Sequence, residues 1–321
     1  MNKALTYLCA LGAAACSLLT SCSSDAILTP DKTPPSYVAL EVHSGRVLYS
    51  MNSNVKRPIS MLTNLATAVV VLDWVKSHKV DLNRLITVPA AATVWQRTNQ
   101  LSLRPGDSIS VRDALYTTLM RDDSTCATTL AYACGSSLSS TNPELAFVAQ
   151  MNNLARSLGM TSTVFKGSNG AVITQSSARD LALLGMYAVN DTSLLSITSQ
   201  EGCIVTIHSP MGTRRQPFRN NNQLVSRNSA HVDGLKVGQS RSAGNCLIAT
   251  SHRASVKRVN PATGKNATFA QRLLVVILGM PSSRARYDMA ANFLRNGWNA
   301  WDRWLPTNDY MDRSKFIILP N

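Results

Sequence analysis

Acid is scarce in this chain. Its 321 residues hold 18 Asp and Glu against 32 Lys and Arg, a formal charge of +14, and only 6% of them are aromatic. Basic charge without interleaved aromatics lacks the pattern by which proteins grip nucleic acid. Seven cysteines and five histidines are present, yet none stands at zinc-ligand spacing and no Gly-x-Ser-x-Gly surrounds a serine. The sequence therefore offers no sign of a metal centre, a cofactor or a hydrolase nucleophile elbow. Long apolar runs are missing too: beyond the first 21 residues nothing approaches the ~20 apolar residues that cross a bilayer. There is no internal repeat.

What the first residues do contain sets a compartment. After Asn2 and Lys3 an apolar stretch runs from Ala4 to Leu19 and closes on Leu19-Thr20-Ser21-Cys22. This is the layout of an export signal over residues 1–21. Its ending resembles a bacterial lipoprotein signal, in which Cys22 becomes the lipidated first residue of the mature chain and anchors it to a membrane. A single transmembrane helix is the alternative, but the run is short and a polar linker rich in Ser, Asp and Pro follows it to residue 35. Losing residues 1–21 removes one base, Lys3, and no acid, so the mature chain stays strongly basic. Such charge suits anionic polymers such as peptidoglycan, or acidic lipid surfaces; solubility alone is its other use. Nucleic acid is excluded as a partner by the compartment as well as by the missing motif.

Cys9 and Cys16 leave with the signal and Cys22 goes to lipid. Cys126, Cys134, Cys203 and Cys246 remain, as disulfides or as buried free thiols. Cys126 and Cys134 fall on one predicted helix, where eight residues at 1.5 Å rise set them ~12 Å apart, beyond the ~7 Å Cα limit of a disulfide.

From residue 36 to 305 the chain reads as one domain, with 306–321 as a tail. Tyr37–Val42 and Arg46–Ser50 are strand-like runs around the turn His43-Ser44-Gly45, a hairpin pattern. Met61–Val75 is apolar and rich in helix formers, a buried helix; Val111–Met120, Ser124–Ala133, Asn142–Leu158 and Ser177–Val189 are further helices. Gly244–Ser251 and Arg272–Leu278 are short β-branched runs with a hairpin-like insertion between them, and Ala285–Trp304 closes as a helix. Strands, a block of helices, then strands again predict an α+β fold: helices packed on an antiparallel sheet whose first and last strands meet.

Several strings, in this order, carry a family resemblance. Ser102-Leu103-Arg104-Pro105-Gly106-Asp107 precedes Val111-Arg112-Asp113-Ala114-Leu115-Tyr116. Leu158-Gly159-Met160-Thr161-Ser162-Thr163-Val164-Phe165 and Ser176-Ser177-Ala178-Arg179-Asp180-Leu181-Ala182 follow, then residues 232–240, Val-Asp-Gly-Leu-Lys-Val-Gly-Gln-Ser. Together they resemble the penicillin-binding D-alanyl-D-alanine carboxypeptidases, serine peptidases of peptidoglycan metabolism. The resemblance implies the β-lactamase/transpeptidase-like fold and an acyl-transfer site built from Ser-x-x-Lys, Ser-x-Asn and Lys-Thr-Gly motifs. It ends near residue 305, short of the extra β-rich domain that many members carry.

The motifs themselves have drifted. The family's Pro-Ala-Ser-Leu-Thr-Lys passage falls on Ile59-Ser60-Met61-Leu62-Thr63-Asn64, which puts Met61 at the nucleophile and Asn64 at the general base. Sliding by one residue recovers a serine, Ser60, but sets Thr63 at the lysine. Ser53 to Lys56 does spell Ser-x-x-Lys, by chance, in the loop entering the helix. Asp122-Asp123-Ser124 stands where Ser-x-Asn belongs. Two acids at a helix start can simply favour its dipole, and Ser124 can cap it. The third motif keeps Lys236, a cation for a substrate carboxylate, and Gly238, while Val237 replaces the threonine. Backbone N–H groups of Met61 and Gln239 would form the oxyanion hole the resemblance implies, and backbone donors survive substitution.

Three readings stay open on the sequence: an inert relative that binds peptidoglycan stem peptides or a cell-wall protein, an active carboxypeptidase using Ser60 with a rerouted base such as Lys56 or Lys236, and a lipid-tethered structural protein without a ligand. The lost Ser–Lys pair favours the first over the second. The anchor is testable by itself: Cys22→Ala should move the protein from the membrane fraction into the soluble exported pool, and equal retention of the variant in membranes would refute lipidation.

Overall fold

Strand β1 (Ser36–Glu41) enters the middle of a sheet rather than its edge. On one side it pairs with β2 (Val47–Met51), the predicted hairpin; on the other it lies antiparallel to the last strand, with Ser36 opposite Leu278 and Glu41 opposite Leu273. The first and last strands do meet. The computed structural model describes residues 34–94, 98–226, 231–259 and 264–304 with Ile317 and Pro320. The signal, Cys22, nearly all of the linker and most of the 306–321 tail lie outside the described residues.

The sheet is five-stranded, in the order β2-β1-β11-β10-β9, where β9 is Val232–Ser240, β10 Gly244–Val259 and β11 Asn266–Met280. Both of its faces are covered, so its central strands are apolar without a break and neighbours alternate between two cores. Leu274, Val276 and Leu278 join a large core with the helices α1 and α5 (Ala178–Ala188). Leu273, Val275 and Ile277 join a smaller one with Trp298, Trp301 and Leu294 of α8 (Ser283–Trp304). The insertion expected between two short runs is a hairpin, as read, but the runs are not short: it extends β10 and β11 themselves, which pair from Asn245 and Met280 out to Val259 and Asn266.

Helix α1 (Thr63–His78) follows a tight 3-10 turn at Ser60–Leu62, and every residue from Thr63 to Leu72 is buried. It has no polar face because it sits between the sheet and the helices α2 (Val111–Arg121), α3 (Ser124–Gly135) and α4 (Pro143–Ser157). Ser110 and Ser177 stop the chain in extended backbone and accept N–H bonds from Asp113 and Asp180, which starts α2 and α5 where the sequence predicts helices. Short strands β3 (Arg57–Pro58) and β6 (Gln175–Ser176) pair with each other. A second sheet, β4 (Leu85–Thr87), β5 (Ser108–Ser110), β7 (Gly202–Ser209) and β8 (Gly212–Arg219), flanks the helices; neither it nor the short helices α6 (Thr192–Thr198) and α7 (Gln223–Ser226) have a counterpart in the sequence-based expectation. Among the described residues Cys126, Cys134, Cys203 and Cys246 are free, three of them buried and Cys203 partly so, with Cys126 and Cys134 both on α3.

Trp298 anchors α8: it is 2% exposed, its indole N–H donates to Ser251 Oγ at 3.3 Å, and the Arg253 guanidinium lies 4.3 Å over its ring. Trp298→Ala should therefore cost about 3–5 kcal/mol and lower the melting temperature by roughly 10 °C at the 2–4 °C per kcal/mol usual for a domain of this size. Thermal unfolding checks it, with the exposed Arg295→Ala expected to leave the transition unmoved.

Candidate functional site

Three chain segments converge where the sheet's edge strand meets the buried end of α1. They are the Ser60–Leu62 turn, the α2–α3 junction at residues 122–124, and β9 at Lys236 to Gln239. Glycine makes the approach possible. A Cβ on Gly238 would stand 3.0 Å from Leu62 N and 3.2 Å from Met61 N, so only a bare backbone lets β9 lie against the turn. On the opposite side Gly170 presses on Met61 so closely that any side chain there would collide with the Met61 backbone.

Met61 is 8% exposed, and its thioether faces the Ser124 hydroxyl at 3.9 Å. Asn64, one helical turn on, is fully buried; its amide N–H donates to Thr118 O at 3.4 Å and its oxygen accepts Gly170 N–H at 3.2 Å. A lysine there would bring a charge into this core. Asn64 instead satisfies two backbone groups with a neutral amide. Ser60 adopts left-handed backbone, φ +50°, and its hydroxyl donates to the Gln239 carbonyl at 2.9 Å. That bond ties the turn to β9 and occupies the hydroxyl proton.

Lys236 is fully buried, and its ammonium pairs with Asp122 and donates to Val237 O at 2.8 Å. Burial pushes the Lys236 pKa down while the Asp122 charge pulls it back up. The Asp122 carboxylate offsets part of the cost of burying the ammonium. The cation expected to meet a substrate carboxylate is thus already matched inside the protein. Asp122 is not at the start of α3 but in the left-handed residue that ends α2, φ +62°, where Asn221 also donates to it at 3.1 Å.

The cap of α3 needs a matching correction. Asp123, not Ser124, accepts the Cys126 N–H at 2.8 Å, and its other oxygen takes the N–H groups of Gln100 and Leu101 at 2.6 and 3.2 Å. Burial pushes the Asp123 carboxyl up to about 6 against the pull of these three donors. Ser124, in the first turn, is thereby free to face Met61. Val237 packs into the core under α8, and Gln239 is exposed at the strand's end.

The predicted residues are therefore brought together: Ser60 with Gln239, Met61 with Ser124 and Gly238, Asp122 with Lys236. Sequence reasoning missed four residues. Gly170 and Asn169 come from a loop whose only signal is the Gly-Ser-Asn-Gly run at residues 167–170. Asn221 precedes β9 in an unpatterned segment. Arg286, buried on α8, donates to the carbonyls of Gly238 and Cys246 at 3.3 and 3.2 Å and fixes the edge strand from behind.

Comparison with known proteins bears on this geometry. The D-alanyl-D-alanine carboxypeptidase family profile matches residues 24–263. A D-alanyl-D-alanine endopeptidase of Pseudomonas aeruginosa is 33% identical over 243 residues, 73% of each chain. D-alanyl-D-alanine carboxypeptidase DacC of Escherichia coli is 28% identical over 287 residues, 86% of this chain, which spans 64% of DacC. The Streptomyces K15 DD-transpeptidase superposes with a TM-score of 0.72 at 23% identity, over 84% of this chain and 99% of that one. Its likeness establishes the penicillin-binding fold, helices on an antiparallel sheet, that the strings in the sequence implied. With the profile covering most of the chain in the same order as the converging segments, the chain belongs to the D-alanyl-D-alanine carboxypeptidase family.

Proposed function

We propose that this chain is a member of the family that has given up acyl transfer and, tethered by lipid at Cys22, uses the old cleft to bind peptidoglycan stem peptides or a cell-wall partner. The observation that carries the reading is the state of Asn64. Its amide is buried and bonded on both sides to backbone, and an amide takes no proton near neutral pH. Met61 offers a thioether where a hydroxyl must attack, and a thioether has no proton to give up.

Magnitudes weigh the same way. Loss of a serine that works as a unit with its base costs ~10⁶ in turnover in a serine hydrolase, and a missing general base alone costs ~10²–10⁴. Both are missing here. Ser60 is the obvious substitute, but its proton is held by the Gln239 carbonyl, and the Lys236 ammonium that might serve as its base is held by Asp122. For a binding role, the turn and β9 still bring the Met61 and Gln239 backbones side by side, while recognition of a carboxylate by Lys236 has to compete with Asp122.

Two measurements test this. Exposed to a fluorescent penicillin and read by intact mass, the protein should form no penicilloyl adduct. Met61→Ser with Asn64→Lys should recover slow acylation, and adding Asp122→Ser and Ser124→Asn should quicken it. An adduct on the unmodified protein, mapped to Ser60, would overturn the inert reading. In calorimetry a peptide ending in D-Ala-D-Ala should bind weakly and reversibly; Asp122→Ser should tighten it about tenfold by releasing a charge-assisted bond to the ligand, and Lys236→Ala should abolish it. Equal binding by all three forms would remove the carboxylate-binding role.

A further inference from the structure

The far half of α1, away from the site just described, lines a second concavity. Val70, Asp73 and Trp74 form one wall, Leu154 and Asn153 of α4 the other, and Leu138, on the α3–α4 connection, closes one end; the space is about 550 Å³. That volume is in the range of small-molecule sites. Around the partly buried Asp73 carboxylate, aliphatic and indole surface from Val70, Trp74, Leu138 and Leu154 alternates with polar groups such as Tyr187 and Asn153. Leu138 is 47% exposed, so part of the apolar wall stands open to solvent.

The Asp73 carboxylate is poorly supplied with partners for its depth. The Tyr187 hydroxyl donates to Oδ2 at 3.2 Å. Lys76, the nearest base on α1, is drawn off by Asp191 at 2.9 Å. Burial pushes the Asp73 carboxyl up, with the Tyr187 hydroxyl and the Lys76 charge opposing the rise. A cation placed against this oxygen would relieve the penalty. The Trp74 indole N–H is buried without a hydrogen-bond partner, a second polar group that the surrounding chain leaves unmatched. At the cleft's mouth His78 Nδ1 lies 2.9 Å from Ser77 Oγ and 3.2 Å from Trp74 O, which holds the ring against α1. The protein's net charge of +14 repels cations at a distance, but charges farther than ~8 Å are screened at physiological salt. The local carboxylate therefore decides what enters.

We propose that this cleft binds a small organic ammonium, an amine carried on an apolar body, with Asp73 as its counter-ion and Trp74, Leu138 and Leu154 covering the body. The site is separate from the Met61–Lys236 region and needs no acyl transfer.

The test uses the mature chain and phenethylamine as the probe, followed by ligand-observed NMR and calorimetry. Phenethylamine should bind, and 2-phenylethanol, of the same shape without the charge, should bind roughly tenfold more weakly, as expected for loss of one charge-assisted hydrogen bond. Asp73→Asn should weaken the amine to the level of the alcohol. Should that variant fold poorly, Asn153→Trp keeps the test open, because an exposed residue at the rim is replaced by a ring that fills the space; it should abolish binding of both probes while the melting temperature holds. Absence of amine binding to the wild type, equal binding of amine and alcohol, or full binding by Asn153→Trp would each overturn the proposal.

Discussion

Everything at the site follows from a helix whose first ten residues have no side facing water. Because α1 is buried all round over Thr63–Leu72, its first turn lies at the junction of the sheet and the helices, and whatever stands at residues 61 and 64 must be satisfied by protein alone. A lysine at such a position is tolerated only when neighbours hold its charge, since an uncompensated buried ammonium costs several kcal/mol. Asn64 avoids that cost and returns two hydrogen bonds to backbone groups that would otherwise be unpaired. On the proposed inert reading, a structural amide stands where the family pattern calls for a lysine.

The remaining lysine shows the same economy of charge. The family pattern sets two lysines around a serine; here one lysine faces one aspartate, and the pair is neutral. Asp122 can do this because it ends α2 in left-handed backbone, a conformation that Asp and Asn accept more readily than most residues, and that turns its carboxylate toward β9. The substitutions at 64 and 122 thus fit each other: with no ammonium at 64, a carboxylate at 122 has one cation to pair with and need not be shared. The buried charges close into a pair with which any carboxylate ligand has to compete.

Much of this was legible in the sequence, and the illegible part has physical reasons. The helices were found because their caps and apolar runs are local; Ser110 and Ser177 mark starts that need no tertiary information. The β7–β8 hairpin was missed because β8 is an exposed edge carrying Arg214, Arg215 and Arg219, with Pro217 within it, and an edge strand can hold a proline that a central strand cannot. The converging motifs were found through family resemblance, whereas the Lys236–Asp122 pair joins residues more than a hundred positions apart and has no local signature. The cap of α3 was assigned to the wrong neighbour because Asp123 and Ser124 are both good caps, and only the backbone, extended at Asp123, chooses between them.

The pairing of β1 with β11 bears on how the molecule comes into being. Residue 36 finds its partner at residue 278, so the central sheet cannot close until nearly the whole domain is available, and contacts this distant in sequence make folding slow. The helices between them are local in sequence, and local contacts of this kind form faster than the β1–β11 pairing. A chain that becomes available amino end first must keep β1 waiting, unpaired, until β11 arrives. During that interval β1 is an adhesive edge, and a protein of this topology is most exposed to misassembly before its last helix, α8, locks the sheet from the other side.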